Sequence, residues 1–440
     1  MNKLVANLAF FPRLIRVACV GLLVTACGSD PEKITDESIN MTDPAPVQAG
    51  ASKEDADDRS FSADGSLIPG NRVELLLDGP DTYDDMFAAI ADAKDHINLE
   101  TFILADDEIG RRLADALAER AAAGVVVNVI YDALGSMSTD DEFFDRMEDD
   151  GINLLAFHAL LETEPGDWHN RNHRKVLVVD GKVGFTGGLN FTEEYRLSSR
   201  TVQTEARFDE GWRDTHLKIR GPAVAAIQTS FLNVWVDTAE EDHVPEANYF
   251  PELTAVGDQE VAIVVATGDD ELGSTVVDFF VDAVKRAQSR IWLTQAYFAP
   301  TDELVDELEI AARRGVDVRV LLPGQSDVDI AELAADAHYE DLLEAGVRIF
   351  EYRGGILHAK TAVIDNDWST VGSSNLDVLS MEFNNELNAV VFDKGFADQM
   401  AETFLVDQQD ADEITAEEWA DRGMWTKLKH GGVKLLQGGE

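Results

Sequence analysis

The feature that most constrains this chain is a short motif that occurs twice, His-x-Lys-x4-Asp followed by an asparagine. The first copy covers 173–180 and leads to Asn190, and the second covers 358–365 and leads to Asn375. Composition alone predicts roughly 0.03 matches to the motif in this chain, so the duplication is not a coincidence. The copies are about 190 residues apart, a period far too long for a solenoid, which indicates two similar domains.

Stretches outside the motif repeat in the same order. Residues 96–102 resemble 290–298, and each has the pattern of a short strand that follows an amphipathic helix. Residues 121–129 resemble 311–320, where a helix ends at a glycine and a β-branched strand begins. This alternation predicts an α/β fold with helices layered over a sheet. We expect a monomer whose two domains face each other as an internal pseudo-dimer.

Changes in composition indicate the domain boundaries. Acidic residues and a proline at 240–245 interrupt the repeat, so we predict a first domain at 71–245 and a second at 246–440. Residues 27–70 are rich in Asp, Glu, Ser, Pro and Ala, which is typical of a disordered, solvated tether.

The N-terminal segment 1–26 has basic side chains, no acidic ones and a short apolar run at 17–24, which is typical of a signal peptide. The run is too short to span a bilayer, which takes about 20 residues. It ends Leu-Val-Thr-Ala before Cys27 and resembles a bacterial lipobox, in which the cysteine is acylated; an incidental cysteine after an ordinary signal peptide is the alternative. Gly28 does not match the aspartate that favours inner-membrane retention. We therefore expect a lipid anchor on the periplasmic side of a bacterial envelope, with the outer membrane favoured.

The charge of the chain argues against some partners. There are 36 Lys and Arg residues against 84 Asp and Glu residues, a formal net charge of −48. A field of this sign repels polyanions, so we expect no nucleic-acid partner and no broad docking on anionic lipid. The two cysteines, Cys19 and Cys27, rule out a disulfide framework and a cysteine-based zinc site. Ligand spacings for zinc and a carboxylate cluster for magnesium are not evident, so no metal or other cofactor is expected.

The spacing inside each motif places its residues on different faces of a strand. The apolar run after each lysine indicates a buried strand. Side chains alternate along a strand, so the histidine and lysine share a face while the aspartate points away. We therefore predict that the aspartates are structural anchors within the motif. The candidate catalytic set comprises both copies in full: His173, Lys175 and Asp180, with His358, Lys360 and Asp365.

Two histidines, two lysines and two asparagines that converge would suit a phosphate group. Lysine ammonium groups are good phosphate partners, and the asparagines would add neutral donors. Imidazole can attack phosphorus or donate a proton near neutral pH. One histidine would form a phosphohistidine while the other protonates the leaving oxygen, and the second would then accept a proton from an attacking hydroxyl.

These features resemble the phospholipase D superfamily in its two-motif form and, more narrowly, the bacterial cardiolipin synthases. The resemblance extends over about 70–440 and implies two tandem α-β-α sandwich domains related by a pseudo-two-fold axis. Many relatives begin with transmembrane helices, whereas this chain has a lipobox and a tether. Besides the motifs, the resemblance rests on 106–113, 131–136, 185–190, 212–216, 374–377 and 384–386.

The resemblance also implies a role for each matching residue. His173 would be the nucleophile and His358 the general acid and base. The motif lysines and the two asparagines would bind phosphate. Glu386, 28 residues after His358, resembles the carboxylate that orients that histidine, and we expect Asp214 to serve His173 in the same way.

The leading prediction is a phosphatidyltransferase of the cardiolipin synthase type, which moves a phosphatidyl group between phospholipids at a membrane. With water as the acceptor, the same site would be a phospholipase D. A metal-independent nuclease or phosphodiesterase is a third reading, which the net charge disfavours. A lipid-anchored binding protein with a degenerate site is a fourth, and the two intact motifs argue against it.

Two other segments are predicted to contribute near the site or the membrane. Residues 158–171 are longer than the matching stretch of the second half, contain Trp168, and are expected to border the pocket. The tail that holds Trp419, Trp425 and several lysines suits a membrane interface or, as we favour, a helix packed on the domain. Three histidines lack a repeat partner and are expected to be structural: His169, His216 and His338.

Overall fold

The computed structural model describes residues 66–159, 170–199, 211–239, 244–268 and 275–421. The predicted signal peptide, Cys27 and the tether up to residue 65 lie outside these ranges. No helix within them is long and apolar enough to cross a membrane.

The first half alternates strands and helices, as its hydrophobic pattern predicts. Strand one begins at Ile68, so the folded part starts before the predicted boundary at 71. The strands are β1 (Ile68–Leu77), β2 (His96–Thr101), β3 (Val126–Asp132), β4 (Asn153–Phe157), β5 (Val176–Val179), β6 (Val183–Gly187) and β7 (Thr215–Arg220). The helices are α1 (Asp78–Asp92), α2 (Glu108–Ala122), α3 (Asp141–Asp149) and α4 (Val224–Thr238), with a 3-10 turn at Glu193–Tyr195.

The second half repeats this order of elements, and it adds two short strands that pair with each other, β10 and β15, and a strand and a helix at its end. Its strands are β8 (Gln259–Ala266), β9 (Arg290–Thr294), β10 (Phe298–Ala299), β11 (Asp317–Pro323), β12 (Arg348–Tyr352), β13 (Thr361–Ile364), β14 (Trp368–Gly372), β15 (Leu376–Asp377), β16 (Glu386–Phe392) and β17 (Ala411–Ile414). Its helices are α5 (Thr275–Arg286), α6 (Asp302–Arg313), α7 (Asp329–Ala345), α8 (Lys394–Gln409) and α9 (Ala416–Ala420), with a π-helical turn at Leu379–Phe383.

One mixed sheet of 15 strands runs through both halves, in the order β17-β12-β11-β9-β13-β14-β16-β8-β1-β7-β6-β5-β2-β3-β4. At its centre β1 and β8 pair antiparallel, with Ile68 opposite Val261. Moving outward from that junction, the two sides list equivalent strands in equivalent order, and only β17 is extra. This confirms the predicted α/β fold of two similar domains related by a pseudo-two-fold axis.

Helices cover both faces of the sheet. On one face Ile90 of α1 and Leu113 of α2 pack in a buried cluster with Leu99 of β2, and α5 to α7 form the matching cluster in the second half. On the other face a single cluster contains Ile227 of α4 and Phe404 of α8 and therefore spans the two halves. The motif strands β5 and β13 are buried on both faces, which holds the residues before them rigidly.

The described part of the C-terminal tail packs on the domain. The ring of Trp419 in α9 lies 4.7 Å from the ring of Tyr339 in α7, measured between centroids. This contact agrees with the packed-helix prediction for that residue. Trp425 and the lysines of the tail lie outside the described residues.

Candidate active site

Both motif copies lie between the halves, because the chain contacts the opposite half just before each motif strand. The amide of His173 donates to the carbonyl of Asn385 at 3.0 Å. Equivalently, the amide of His358 donates to the carbonyl of Arg213 at 2.8 Å. Each of these two hydrogen bonds joins residues of different halves, so both histidines are held at the interface of the domains.

Each motif histidine pairs with a carboxylate from the other half. Nδ1 of His173 lies 3.0 Å from Oε1 of Glu386. Nδ1 of His358 lies 2.8 Å from Oδ2 of Asp214. The expected pairing was therefore wrong: Glu386 orients the first histidine and Asp214 the second. In both cases the carboxylate contacts Nδ1, so Nε2 is the ring nitrogen that could meet a substrate, and at His358 this nitrogen also lies 2.9 Å from Nζ of Lys360.

The sheet explains this exchange of partners. Strands β7 and β16 keep the same register on their neighbours, β6 and β14. In that register His216 and Asn388 occupy equivalent positions. Asp214 and Glu386 each lie two residues before one of them, so they are equivalent too. Both strands lie near the centre of the sheet, so Asp214, just before β7, and Glu386, the first residue of β16, reach across to the other domain. The spacing between residues of one repeat could not reveal the exchanged partners, because it carries no information on contacts with the other half.

The two lysines are buried beside the histidines. Lys175 and Lys360 are each 2% exposed. Burial lowers the pKa of Lys175 to about 7 and that of Lys360 to about 8, although Glu386 and Asp214 favour the charged forms. Each lysine also lowers the pKa of the histidine in the other half, which shows that the four groups share one site.

The two carboxylates differ in their surroundings. The hydroxyl of Ser373 donates to Oε2 of Glu386. Burial would raise the pKa of Glu386, but His173 and this hydroxyl outweigh it and hold that pKa below its usual range. The residue that matches Ser373 is Gly188, which has no side-chain donor, and a Cβ there would lie 2.2 Å from Oδ1 of Asp214. Burial therefore dominates at Asp214 and raises its pKa to about 6.

This difference makes the two histidines chemically unequal. Burial, followed by the charge of the neighbouring lysine, lowers the pKa of both rings. His173 faces a firmly ionised carboxylate, so its Nδ1 carries the proton and Nε2 has a free lone pair. His358 faces a carboxyl group that titrates near pH 6, so this pair can hold an additional proton. Nζ of Lys360 lies 2.9 Å from each nitrogen of that ring.

The predicted phosphate-binding asparagines are buried near the site in matching positions. Nδ2 of Asn190 lies 3.5 Å from the hydroxyl of Tyr195. Nδ2 of Asn375 lies 3.4 Å from Oγ of Ser380, five residues later in the same way. The role of both asparagines in binding phosphate stays a prediction.

The motif aspartates do not face the site, and the candidate catalytic set loses these two members. Oδ1 of Asp180 accepts from the amides of Asp95 and His96, at the start of β2. Asp365 accepts from the amide of Ser289 at 2.7 Å and from that of Arg290 at 3.2 Å, at the start of β9. Both sit at positive φ in the turn after the motif strand, so they tie this turn to the neighbouring strand. The predicted anchor role agrees with this geometry.

Several site residues escaped the sequence analysis. The hydroxyl of Tyr195 lies 3.0 Å from Nδ1 of His358. The hydroxyl of Ser373 donates to Glu386. Arg213, buried and paired with Asp407 at 2.8 Å, supports the strand end that carries Asp214. The sequence signals were present, since Tyr195 follows the first asparagine by five residues as Ser380 follows the second.

The segment before the first motif is only partly described. Trp168 and His169 lie outside the described residues, so their expected position beside a pocket stays a prediction. Arg171 is buried, and its guanidinium lies 3.6 Å from Asp132 at the end of β3. His216 is fully buried on β7, which agrees with a structural role.

The duplicated fold and the paired His-carboxylate units define a class of protein, the two-motif enzymes of the phospholipase D superfamily. The family profile described as "Cardiolipin synthase, PLD-like domain" matches residues 86–201 and 280–435. The chain belongs to this family.

Relatives and solved structures agree with that assignment. The chain is 35% identical over 376 residues to the cardiolipin synthase of Listeria monocytogenes serotype 4a (strain HCC23), covering 85% of this chain and 76% of that protein. It is 34% identical over 372 residues to the cardiolipin synthase of Staphylococcus aureus (strain Mu50), covering 84% and 74%. The phosphatidylserine synthase of Haemophilus influenzae Rd KW20 has the same fold, with a TM-score of 0.59, 13% identity, and coverage of 86% of this chain and 96% of that one.

Proposed function

We propose that this enzyme is a phosphatidyltransferase of the cardiolipin synthase type that works through a phosphohistidine on His173. The observation that carries the proposal is the pair of crossed contacts, in which each motif histidine is held by a carboxylate of the other half beside two buried lysines. Such a site can hold one phosphodiester between two imidazoles that have different protonation states.

In the first step Nε2 of His173 attacks the phosphorus of a phospholipid, and the bond to the head-group oxygen breaks. Glu386 holds the Nδ1 proton and stabilises the cationic ring that forms. The leaving oxygen takes its proton from His358, which acts with Asp214 as the general acid. This contribution is worth about 10²–10⁴-fold in rate. Lys175 and Lys360 stabilise the charge on the pentacoordinate phosphorus.

In the second step the head-group alcohol has left and an acceptor hydroxyl enters. His358, now without its proton, accepts the proton of that hydroxyl, whose oxygen attacks the phosphohistidine. The bond between phosphorus and His173 breaks, and both histidines return to their starting states. When the acceptor is a phosphatidylglycerol hydroxyl, the product is cardiolipin.

Hydrolysis of phospholipid to phosphatidic acid is the second candidate, since water could replace the lipid alcohol. Burial favours transfer over hydrolysis: His173 is 8% exposed and His358 is 5% exposed, and a dry site limits competition from water. A nuclease activity is disfavoured by the net charge of −48.

Labelled phosphatidylglycerol in vesicles tests the proposal. Chromatography of the lipid products should reveal cardiolipin and released glycerol, with phosphatidic acid as a minor product. Acid-sensitive label should be trapped on the wild-type protein and absent from His173→Ala. Phosphatidic acid as the sole lipid product would reassign the enzyme as a hydrolase, and label that persists in His173→Ala would reject the nucleophile.

The lipid anchor is a separate part of the proposal. The lipobox-like sequence before Cys27 supports acylation of this residue and attachment to the periplasmic side of the envelope. Labelled palmitate should enter the wild-type protein and Cys19→Ala but not Cys27→Ala. Equal labelling of the two variants would contradict the anchor without affecting the proposed chemistry.

A further inference from the structure

Tyr195 is a buried side chain at the site to which the proposed steps give no task. It ends the 3-10 turn Glu193–Tyr195 and is fully buried. Its hydroxyl lies 3.0 Å from Nδ1 of His358, a residue of the other half. Its ring packs against Trp212 at 5.1 Å between centroids, and Trp212 in turn lies 5.3 Å from the ring of His358. These contacts fix the phenol against the histidine.

Among the residues that the structure describes, the second half shows no equivalent of this contact. The residue that matches Tyr195 is Ser380, which follows its asparagine at the same distance. Within the described residues, the hydroxyl of Ser380 contacts Nδ2 of Asn375 at 3.4 Å, and no contact joins it to His173. A serine is too short to reach as far as a tyrosine, so the phenol acts on one histidine only.

The chemistry of Nδ1 shows what this hydroxyl can do. Nδ1 of His358 has room for one proton, and two oxygens lie within hydrogen-bond distance: Oδ2 of Asp214 at 2.8 Å and the Tyr195 hydroxyl at 3.0 Å. Nζ of Lys360 lies 2.9 Å from the same nitrogen and can donate to it only when Nδ1 carries no proton. Burial raises the pKa of Tyr195 well above its usual value, so the group is a neutral phenol at working pH. A proton on Nδ1 is then shared between two acceptors, which stabilises the imidazolium form and fixes the plane of the ring.

We infer that Tyr195 is a positioning residue that holds His358 in the orientation and protonation state of the general acid. It aims Nε2 at the leaving oxygen and keeps the proton on the imidazole rather than on Asp214. The inference rests on the proposed function, in which His358 protonates the leaving group. It also explains how the two histidines of a duplicated site could take different roles, since within the described residues the phenol contacts His358 and not His173.

The test compares two leaving groups on the variant Tyr195→Phe. Phosphatidylglycerol releases an alcohol that needs a proton, whereas phosphatidyl-p-nitrophenol releases a stable anion that does not. We expect Tyr195→Phe to slow phosphoenzyme formation from phosphatidylglycerol by about 10- to 100-fold, the loss typical when an orienting partner is removed. The burst of p-nitrophenol should stay close to the wild-type rate. The result is a ratio measured on one preparation, so a lower folded fraction cancels.

Tyr83→Phe is the matched control. Tyr83 is equally buried and donates to the carbonyl of Asn190 at 2.6 Å, but it does not contact His358. Its ratio of rates on the two substrates should equal that of the wild type. Equal losses on both substrates in Tyr195→Phe would overturn the inference. A ratio of rates in Tyr83→Phe that is shifted as far as that of Tyr195→Phe would also overturn it.

His358→Ala on the same two substrates separates this inference from the proposed function. If that variant shows no dependence on the leaving group, the acid role of His358 fails and the proposed function with it. If His358→Ala shows the dependence and Tyr195→Phe does not, the proposed function stands and only the role of Tyr195 is rejected.

Discussion

Glu386 lies 3.0 Å from the ring of His173, although the two residues belong to different halves of the molecule and are 213 positions apart. The reciprocal contact joins His358 and Asp214. Each half therefore supplies the imidazole of one unit and the carboxylate of the other. Neither half alone can orient a motif histidine, which gives a physical reason for the two domains to stay in one chain.

The crossed contacts predict different kinetic defects for the two carboxylates. Glu386→Gln removes the charge that stabilises the His173 cation, so phosphoenzyme formation should slow by about 10²–10⁴-fold for any leaving group. Asp214→Asn should slow the reaction mainly with poor leaving groups, because it weakens the acid. Rapid-quench trapping with phosphatidylglycerol and phosphatidyl-p-nitrophenol measures both effects. The opposite pattern, with leaving-group dependence in Glu386→Gln, would support the uncrossed pairing.

Ser373 should set the pH range of the nucleophile. Its hydroxyl donates to Glu386 and helps to hold the pKa of that carboxylate below its usual range. In Ser373→Ala this pKa rises, so Glu386 becomes protonated at a higher pH and the acid limb of kcat/KM should move upward. We expect a loss of about tenfold at the acid end, which corresponds to one unit of pKa.

Ser374→Ala is the control for that profile. Ser374 is equally buried, but its hydroxyl accepts from Asn388 and does not contact Glu386. Its acid limb should coincide with that of the wild type. Coincident limbs for Ser373→Ala and the wild type would show that the serine does not tune the carboxylate.

Local patterns in the sequence predicted the motif strands and the anchor role of Asp180 and Asp365, because alternation along a strand is a local property. The pseudo-symmetric α/β fold followed from the repeat in the same way. The pairing of Glu386 with His173 depends on where β16 lies relative to the first half. That position is a property of the whole sheet, and no spacing within one repeat encodes it.

The contact of Tyr195 with the second histidine is a further example. A tyrosine after Gly-Gly-Leu-Asn-Phe is visible in the sequence, and its partner Ser380 is visible in the second repeat. What distinguishes them is reach across the interface, which depends on the packing of Trp212 and the turn that carries the phenol. Comparing equivalent positions of the repeats could have marked Tyr195 and Ser380 as different. It could not have identified His358 as the histidine that Tyr195 contacts.

The buried lysines predict an alkaline limit to activity. Burial lowers the pKa of Lys175 to about 7 and that of Lys360 to about 8, so the substrate-free site loses positive charge as the pH rises through this range. Binding of a phosphodiester anion should weaken, and kcat/KM should fall above pH 7 while kcat changes less. An arginine keeps its charge over this range. In Lys175→Arg the alkaline limb of kcat/KM should therefore move upward, toward the pKa of Lys360, even if the absolute activity of the variant is lower.

The exposed Lys182 provides the control for this shift. Lys182→Arg changes the same residue type outside the site and should leave the profile of kcat/KM unchanged. If the limb of Lys175→Arg coincides with that of the wild type, Lys175 is not the group that titrates. Inorganic phosphate gives an independent measure, since its inhibition should weaken over the same pH range.

The anchor aspartates predict a loss of stability rather than of chemistry. Burial would raise the pKa of Asp365, but the hydroxyl of Ser289 and three backbone amides hold it below its usual value. Because the folded pKa is lowered, this carboxylate stabilises the protein above the unfolded-state pKa and loses that effect as the pH falls through the folded value. Asp365→Ala should lower the free energy of unfolding by about 1–3 kcal/mol at pH 7. The difference from wild type should shrink below about pH 4.

The exposed Asp367 lies two residues away in the same turn, and Asp367→Ala should change stability little. The loss of stability in Asp365→Asn should lie between those of Asp367→Ala and Asp365→Ala. Asparagine tolerates the positive φ, but it brings an amide donor toward the backbone donors of Ser289 and Arg290. Denaturant unfolding measures all three variants, and kcat per folded molecule measures the chemistry. A large fall in kcat with unchanged stability would return Asp365 to the catalytic set, since an anchor outside the site acts on the reaction only through the population of folded protein.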